Sequence, residues 1–332
     1  MRFPPSLTKT LTAYLVKKRW AGEEKFPLVL MLEPTHLCNL NCLGCGRIQE
    51  YRDSLGQMLT LEQCLAAVEA CGAPVVTITG GEPLVYPPIF ELVAELLRRR
   101  KHLYLCSNGL LLTKALPRLQ PSPRLTLSIH LDGLAPTHDR IIGRPGGFQQ
   151  VLAAIKEAKA RGFQVCTNTS IYRQTDVEEI KTLFTLLTGL GIDGLMVSPA
   201  FSFEQVEAEI FLTREEIQNK FRQLTSNGTK FRFYNSPLYL SFLRGERSYE
   251  CTPWANPTYN PRGWRSPCYQ IADGHYASYA DLMAKTPWEQ YGVSRDPRCR
   301  QCMMHSGFEP TIVRTLGRNL RDVWEMLRWN LS

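Results

Sequence analysis

Residues 33–46 read EPTHLCNLNCLGCG, a stretch that places Cys38, Cys42 and Cys45 on one short loop. The loop follows an apolar run at 28–32 that has the length of a buried strand. Three thiolates at C-x3-C-x2-C spacing can bind three irons of a cubane and leave the fourth iron open to another ligand. A zinc site is the alternative, with His36 as its fourth ligand. The spacing therefore predicts a metal centre immediately after the first strand.

The composition is ordinary for a globular chain. The 332 residues are 44% hydrophobic, and 39 Lys and Arg against 31 Asp and Glu give a net charge of +8. No apolar run has the length of a membrane span and the first 20 residues lack a signal-peptide pattern, so a cytoplasmic protein is expected. In that reducing compartment, eleven cysteines favour metal or catalytic chemistry over disulfides. No common nucleic-acid-binding module is recognisable, so no nucleic-acid partner is expected.

Strand and helix patterns alternate along the first 225 residues. Apolar runs that suit strands lie at 28–32, 75–79, 103–106, 125–131, 164–171 and 194–198, and helical patterns lie at 60–71, 88–101, 148–161, 177–190 and 212–224. Thr60 with Gln63 resembles a capping box, and Gly72 and Gly162 are placed to end helices. This alternation predicts an α/β fold with a parallel sheet. Six units favour a partial (β/α)6 barrel over a closed eight-stranded one.

A change of composition after Gly245 predicts a second unit. The segment 251–296 is rich in Pro, Tyr, Trp and Gly, and four more cysteines lie in or just after it. The predicted organisation is a basic N-terminal helix at 1–26, the barrel at 27–245, a small cysteine-rich auxiliary metal module at 246–310 and a C-terminal helix at 311–332. A metal is the natural way to stabilise so small a module.

Both ends of the chain predict basic amphipathic helices. One face of the first helix carries Leu7, Leu11, Tyr14 and Leu15, and the last helix carries Val323, Met326, Leu327 and Trp329 among Arg314, Arg318, Arg321 and Arg328. Helices of this kind can lie at a membrane surface, so peripheral contact with the inner membrane is one interpretation. The alternative is that both helices dock on the body of the protein.

Several strand ends resemble those of the radical S-adenosylmethionine (SAM) superfamily. The phrases are TGGEP at 79–83, SNG at 107–109 and SIHLDG at 128–133, each following a predicted strand. The resemblance implies a radical SAM barrel in which Cys38, Cys42 and Cys45 hold a 4Fe–4S cluster and SAM is the co-substrate. It also implies that SAM is contacted by Gly80, Gly81, Glu82, Pro83, Asn108, Ser128, His130 and Asn168.

The second cysteine group resembles the twitch module of radical SAM enzymes that carry an auxiliary cluster. Eleven residues separate Cys251 from Gly263, four more separate that glycine from Cys268, and Cys299 and Cys302 form a C-x2-C pair. The resemblance implies a second 4Fe–4S cluster held by these four cysteines. A four-cysteine zinc site fits the same count and stays open.

Two longer phrases resemble the hopanoid-biosynthesis radical SAM proteins. They are CTPWANPTYNPRGW at 251–264 and DPRCRQCMMHSGFEP at 296–310. The resemblance implies an adenosyl transferase that joins the 5′-deoxyadenosyl group of SAM to the side-chain alkene of diploptene, giving adenosylhopane. It also implies a one-electron donor such as flavodoxin or ferredoxin. Two alternatives remain: a radical SAM enzyme that modifies a peptide or another substrate, and a non-enzymatic iron–sulfur or zinc protein.

The implied reaction gives Cys106 a catalytic role. Addition of an adenosyl radical to a terminal alkene leaves a tertiary carbon radical, which must gain one hydrogen. A thiol S–H bond is weaker than the C–H bond that forms, and Cys106 ends the third predicted strand at the edge where barrels build their sites. Cys64, Cys71 and Cys166 are expected to pack as small hydrophobic side chains.

Overall fold

The computed structural model describes residues 4–203, 206, 208–225, 231–317 and 319–331. Arg318, one of the predicted C-terminal basic residues, lies outside these ranges. The strands within them are β1 Val29–Leu32, β2 Val75–Ile78, β3 His102–Ser107, β4 Leu125–His130, β5 Gln164–Ile171, β6 Gly194–Pro199, β7 Thr258–Asn260, β8 Gly263–Pro267 and β9 Ala272–Tyr276. Each of the six predicted strands is present, with its ends shifted by at most two residues.

All the described strands form one sheet in the order β6-β5-β4-β3-β2-β1-β7-β8-β9. Strands β1 to β6 are parallel to their neighbours, which confirms the α/β class and the partial barrel. Strand β7 pairs parallel with β1, and β7, β8 and β9 then pair antiparallel. The cysteine-rich segment therefore extends the barrel sheet from β1, the strand that precedes the first cysteine loop.

The helices lie between and after these strands. They are α1 Pro5–Trp20, α2 Gly46–Glu50, α3 Leu61–Cys71, α4 Ile89–Arg98, α5 Leu112–Ala115, α6 Ala135–Ile142, α7 Gly147–Ala160, α8 Val177–Gly189, α9 Arg214–Leu224, α10 Pro237–Leu243, α11 Tyr279–Lys285, α12 His305–Thr315 and α13 Leu320–Leu331. The capping box at the start of α3 is confirmed. The Thr60 hydroxyl accepts from the backbone N–H of Gln63, and the Gln63 side chain accepts from the backbone N–H of Thr60. Gly72 ends the helix with φ of +68°.

Burial along β3 shows which side chains reach the inside of the barrel. Leu103, Leu105 and Ser107 are buried, whereas Tyr104 and Cys106 are partly accessible. Alternate side chains of a strand point to opposite faces. Tyr104 and Cys106 therefore face the barrel interior, where the strand ends can build a site.

The terminal helices pack against each other. Arg19 of α1 donates to the carbonyl oxygens of Arg314 and Leu316, and Asn330 of α13 donates to Thr8. The predicted apolar face of α1 packs inward, with Leu7 buried and Leu11, Tyr14 and Leu15 half-buried. The large apolar side chains of α13 that stay exposed are Leu320, Trp324, Leu327 and Leu331.

Within the described ranges, none of the helices is both long enough and apolar enough to cross a membrane.

Candidate functional site

Cys38, Cys42 and Cys45 lie together on the loop between β1 and α2. All three are free thiols and half-buried. Burial, together with the neighbouring Cys45 and Cys38, raises the pKa of Cys42 to about 12. Burial likewise raises the pKa of Cys38 to about 11. Because the thiolates of Cys38 and Cys42 would repel each other, a cation such as iron favours their ionised forms.

His36, the proposed fourth zinc ligand, makes its contacts elsewhere. Its ring stacks on Tyr51 with 3.8 Å between centroids, and Nδ1 lies 3.3 Å from the Ser54 hydroxyl. Burial lowers its pKa to about 4. Across the part of the chain that the structure describes, no three His, Cys, Asp or Glu side chains converge closely enough to hold a single metal ion.

Gly80 and Gly81 bring the loop after β2 against the cysteine loop. A Cβ atom on Gly81 would lie 2.0 Å from the carbonyl oxygen of Leu37. A Cβ atom on Gly80, which has φ of +115°, would lie 2.5 Å from the carbonyl oxygen of Thr35. The N–H groups of Gly81 and Glu82 donate to these same carbonyls, at 3.0 and 2.9 Å. The glycines are therefore required for close approach to the cysteine loop itself.

Glu82 joins this loop to the end of β3. It is 1% exposed, and its carboxylate accepts from the backbone N–H of Asn108 at 2.8 Å and of Leu84 at 3.0 Å. Burial raises its pKa to about 7, against these hydrogen bonds. The Asn108 side chain in turn donates to Asn39, next to Cys38, at 2.7 Å. Pro83 is buried in the turn that follows.

Ser128, His130 and Asn168 lie on neighbouring strands, with His130 of β4 in register with Asn168 of β5. The His130 Nε2 is 2.8 Å from the Asp132 carboxylate. Burial opposes protonation of the ring, but the carboxylate outweighs burial and raises its pKa. The Asn168 Oδ1 is buried without a hydrogen-bond partner among the described residues. It is an acceptor available to a bound group.

Cys106 lies in the same row of the sheet, paired with Ser128, which is paired with Cys166. The Ser128 side chain acts against the rise in pKa that burial causes at both thiols. Burial raises the pKa of Cys106 to about 12, so the thiol keeps its proton at neutral pH. That Cys166 is also in register with Ser128 was not predicted from the sequence. The register of β3, β4 and β5 would have revealed it.

Cys251, Cys268, Cys299 and Cys302 line one cavity of about 50 Å³. Apolar side chains complete its wall, among them Phe201, Ile271 and Phe308. Burial raises the pKa of Cys302 to about 12 and that of Cys299 to about 11. The structure thus brings together the four cysteines of the second predicted site, from a hairpin and from the loop before α12.

Comparisons with known proteins identify the barrel. Residues 32–187 match the Radical SAM superfamily, and residues 195–326 match a family described as Domain of unknown function (DUF3463). The first part of the chain is therefore a radical SAM domain, a class that uses a 4Fe–4S cluster and SAM. These matches support the superfamily, but they give no support to the more specific resemblance to the hopanoid-biosynthesis proteins.

Two curated relatives are similar to part of the chain. AdoMet-dependent heme synthase of Methanosarcina barkeri is 32% identical over 169 residues, which are 50% of this chain and 48% of that protein. GTP 3′,8-cyclase 1 of Pseudomonas aeruginosa is 30% identical over 197 residues, 57% of this chain and 60% of that protein. The chain thus spans about half of the first relative and less than two thirds of the second.

Two solved structures share the fold. The anSMEcpe protein with bound AdoMet has a TM-score of 0.63 at 16% identity, covering 92% of this chain and 93% of that one. Streptococcus suis SuiB bound to precursor peptide SuiA has a TM-score of 0.61 at 18% identity, covering 75% of this chain and 61% of that one. At these identities the likeness establishes the architecture alone.

Proposed function

We propose that this chain is a radical SAM adenosyl transferase, which joins the 5′-deoxyadenosyl group of SAM to the side-chain alkene of diploptene. The observation that carries the proposal is the position of the Cys106 thiol, which is in register with Ser128 and faces the barrel interior. A thiol in that position suits a reaction that ends by giving one hydrogen to a carbon radical. The substrate itself rests on the resemblance of 251–264 and 296–310 to hopanoid-biosynthesis proteins.

The first cysteine loop has the donor set for the cluster. Cys38, Cys42 and Cys45 would hold three of its irons, leaving the fourth for the methionine end of SAM. When bound, the cluster supplies the electron that cleaves SAM to methionine and the 5′-deoxyadenosyl radical. Asn168, with its free acceptor oxygen, together with Ser128 and His130 would orient the adenosine part.

Cys106 would complete the reaction. Addition of the 5′ carbon to the terminal alkene carbon forms one C–C bond and leaves a tertiary carbon radical. The Cys106 S–H bond then breaks and a C–H bond forms, which leaves a thiyl radical on the protein. One electron from a donor such as flavodoxin or ferredoxin and one proton from solvent restore the thiol.

We also propose that the second cysteine group holds a 4Fe–4S cluster in a twitch-like module. The four thiols line one cavity with apolar walls. Among the described residues, no three His, Cys, Asp or Glu side chains converge closely enough to hold a single metal ion, which favours a cubane over one zinc ion here. Four protein ligands saturate such a cluster, so its role would be structural support or electron transfer. About eight irons per chain are expected in the reconstituted protein, by two cubanes.

Peripheral contact with the inner membrane surface fits this substrate. The exposed residues Leu320, Trp324, Leu327 and Leu331 follow i, i+4, i+7 and i+11 spacing, and so form one apolar stripe along α13. Two exposed arginines lie on the same helix, and Trp20 at the end of α1 is 92% exposed. An apolar stripe with basic flanks suits an anionic bilayer, from which a triterpene would be drawn.

The alternative function is modification of a peptide, since SuiB, which shares the fold, has been solved with a bound precursor peptide. One assay separates the two. Protein reconstituted anaerobically with iron and sulfide receives dithionite, SAM and diploptene, and the lipid extract is analysed by mass spectrometry. We expect a lipid that has gained the adenosyl group. Release of 5′-deoxyadenosine with unchanged diploptene would reject the lipid substrate, and no SAM cleavage would reject the enzyme class.

A further inference from the structure

A buried ionic network lies between the two cysteine sites. Arg47, two residues after Cys45, is 7% exposed and lies on α2. Its Nε is 3.2 Å from the Glu33 carboxylate, and its Nη1 is 3.3 Å from that of Glu50. Its Nη2 donates to the carbonyl oxygen of Tyr269, and the guanidinium carbon lies 4.1 Å from the centre of the Tyr269 ring. Arg47, just after the first cysteine loop, thus binds Tyr269, the neighbour of Cys268.

Arg265 on β8 approaches the same point from the second site. It is 1% exposed, and its Nε and Nη2 donate to the carbonyl oxygens of Cys268 and Gln270, at 3.0 and 3.1 Å. Its Nη1 donates to the Glu50 carboxylate at 2.7 Å and to the Tyr51 hydroxyl. The Glu50 carboxylate therefore binds both guanidinium groups.

These contacts make the shape of one loop depend on the other. Three successive carbonyls of the Cys268 loop, those of residues 268, 269 and 270, accept from Arg265, Arg47 and Arg265 in turn. Arg47 lies in the first turn of α2, directly after the last cysteine of the first site. Neither loop can move without breaking hydrogen bonds to a buried charge.

The charges of the network compensate one another. Two guanidinium groups face the carboxylates of Glu33 and Glu50, and Glu33 is 0% exposed. Removal of one member of a buried ion pair leaves the other uncompensated, which is strongly unfavourable. A structure with both loops in place is therefore favoured over one in which a single loop is displaced.

We propose that Arg47, Glu50 and Arg265 are positioning residues that couple the two cysteine sites, so that a filled site at Cys268 orders the loop that carries Cys45. The inference rests on the proposed function insofar as both sites bind a metal group. It goes further, because it assigns the second site a mechanical role that does not depend on electron transfer. By linkage, filling the first site stabilises the second to the same extent.

Hydrogen exchange tests the coupling in the reconstituted full-length protein. The readout is the amide exchange rate of residues 45–54, followed by mass spectrometry under anaerobic conditions. Coupling between two sites typically corresponds to a factor of about 5 to 150. We therefore expect Cys268→Ser to accelerate exchange in this segment by at least about fivefold. In the Arg47→Gln background, which already exchanges fast, Cys268→Ser should add nothing further.

Controls keep the outcome decisive. Arg98→Gln breaks an exposed ion pair with Glu95 within α4 and should leave the segment unchanged. If Arg47→Gln does not fold, Arg47→Lys keeps the charge but cannot reach all the partners of the guanidinium, and serves in its place. Equal acceleration by Cys268→Ser with and without Arg47, or none in the wild-type background, would overturn the proposal. Since exchange is read without turnover, failure of the lipid assay would leave this result intact.

Discussion

The two cysteine sites of this chain differ in how they are assembled. Cys38, Cys42 and Cys45 lie within eight residues on one half-buried loop at the edge of the parallel sheet. The other four cysteines come from positions 251 to 302 and enclose a cavity beside the antiparallel strands. A three-thiol site leaves room for a substrate, whereas a four-thiol site does not. We therefore propose that the chemistry belongs to the first site and that the second gives support.

The largest effect should come from the three-thiol site. Cys42→Ala removes one of three ligands, so SAM cleavage should be abolished, as measured by 5′-deoxyadenosine release in anaerobic assays with dithionite. Cys64→Ala is the matched control, because that thiol is buried in the core at 0% exposure. Retained cleavage in Cys42→Ala would refute the assignment of the cluster ligands.

Cys106 separates SAM cleavage from product formation. Cys106→Ala should still release methionine from SAM, since Cys106 is not a predicted ligand, but should yield at least tenfold less saturated adduct, roughly 1.4 kcal/mol or more in the final step. Mass spectrometry of the lipid extract would show an oxidised or unsaturated adduct instead. Cys166→Ala, across Ser128, is the control and should retain the saturated product. A normal yield of saturated adduct from Cys106→Ala would show that Cys106 is not the hydrogen donor.

The four-thiol site should govern metal content more than chemistry. Cys302→Ser should lower the iron of the reconstituted protein from about eight to about four per chain, by loss of one cubane. Metal analysis checks this directly. About four irons plus one zinc in the wild-type protein would instead assign zinc to this site.

A buried carboxylate next to the second site predicts a pH dependence. Burial raises the pKa of Glu309 on α12 to about 7, although the Ser236 N–H donates to it at 2.8 Å. Because its folded-state pKa is raised, its stabilisation is complete below pH 4.5 and is lost as the pH rises through 7. As the pH rises from 5 to 8, the free energy of unfolding of wild type should therefore fall relative to that of Glu309→Gln. The relative change should be at most about 3 kcal/mol.

Urea denaturation at several pH values measures this difference. Glu216→Gln, at an exposed position on α9, is the control. A difference between wild type and Glu309→Gln that stays constant from pH 5 to 8 would contradict the raised pKa.

The smallest effect concerns the exposed stripe of α13. Replacing Trp324 and Leu327 by Ser should weaken sedimentation with anionic vesicles by at least about tenfold. Each apolar side chain contributes about 1.5–3 kcal/mol when fully buried, so partial burial of the two already exceeds the roughly 1.4 kcal/mol of a tenfold change. SAM cleavage should be unaffected. Leu186→Ser on α8, also an exposed leucine, is the control. Unchanged sedimentation of the α13 variant would remove this helix as a membrane contact.

Local patterns predicted the barrel well and the contacts between distant segments poorly. Strands β1 to β6 and the caps at Thr60 and Gly72 depend on neighbouring residues, so periodicity reveals them. The extension of the sheet through β7 and the shared setting of Cys106 and Cys166 depend on register between distant segments. The pairing of Arg47 with Tyr269 joins residues 222 positions apart, and no sequence spacing indicates it.

Deuterium incorporation tests the central claim most directly. Protein equilibrated in D2O carries a deuterated Cys106 thiol, because thiols exchange with solvent. Assayed there with SAM and diploptene, it should yield adenosylhopane with one deuterium, on the former tertiary radical carbon. Mass spectrometry reads both the adenosyl group and the label. An adenosylated lipid without deuterium would contradict the thiol as donor, and no adenosylated lipid would contradict the proposed reaction.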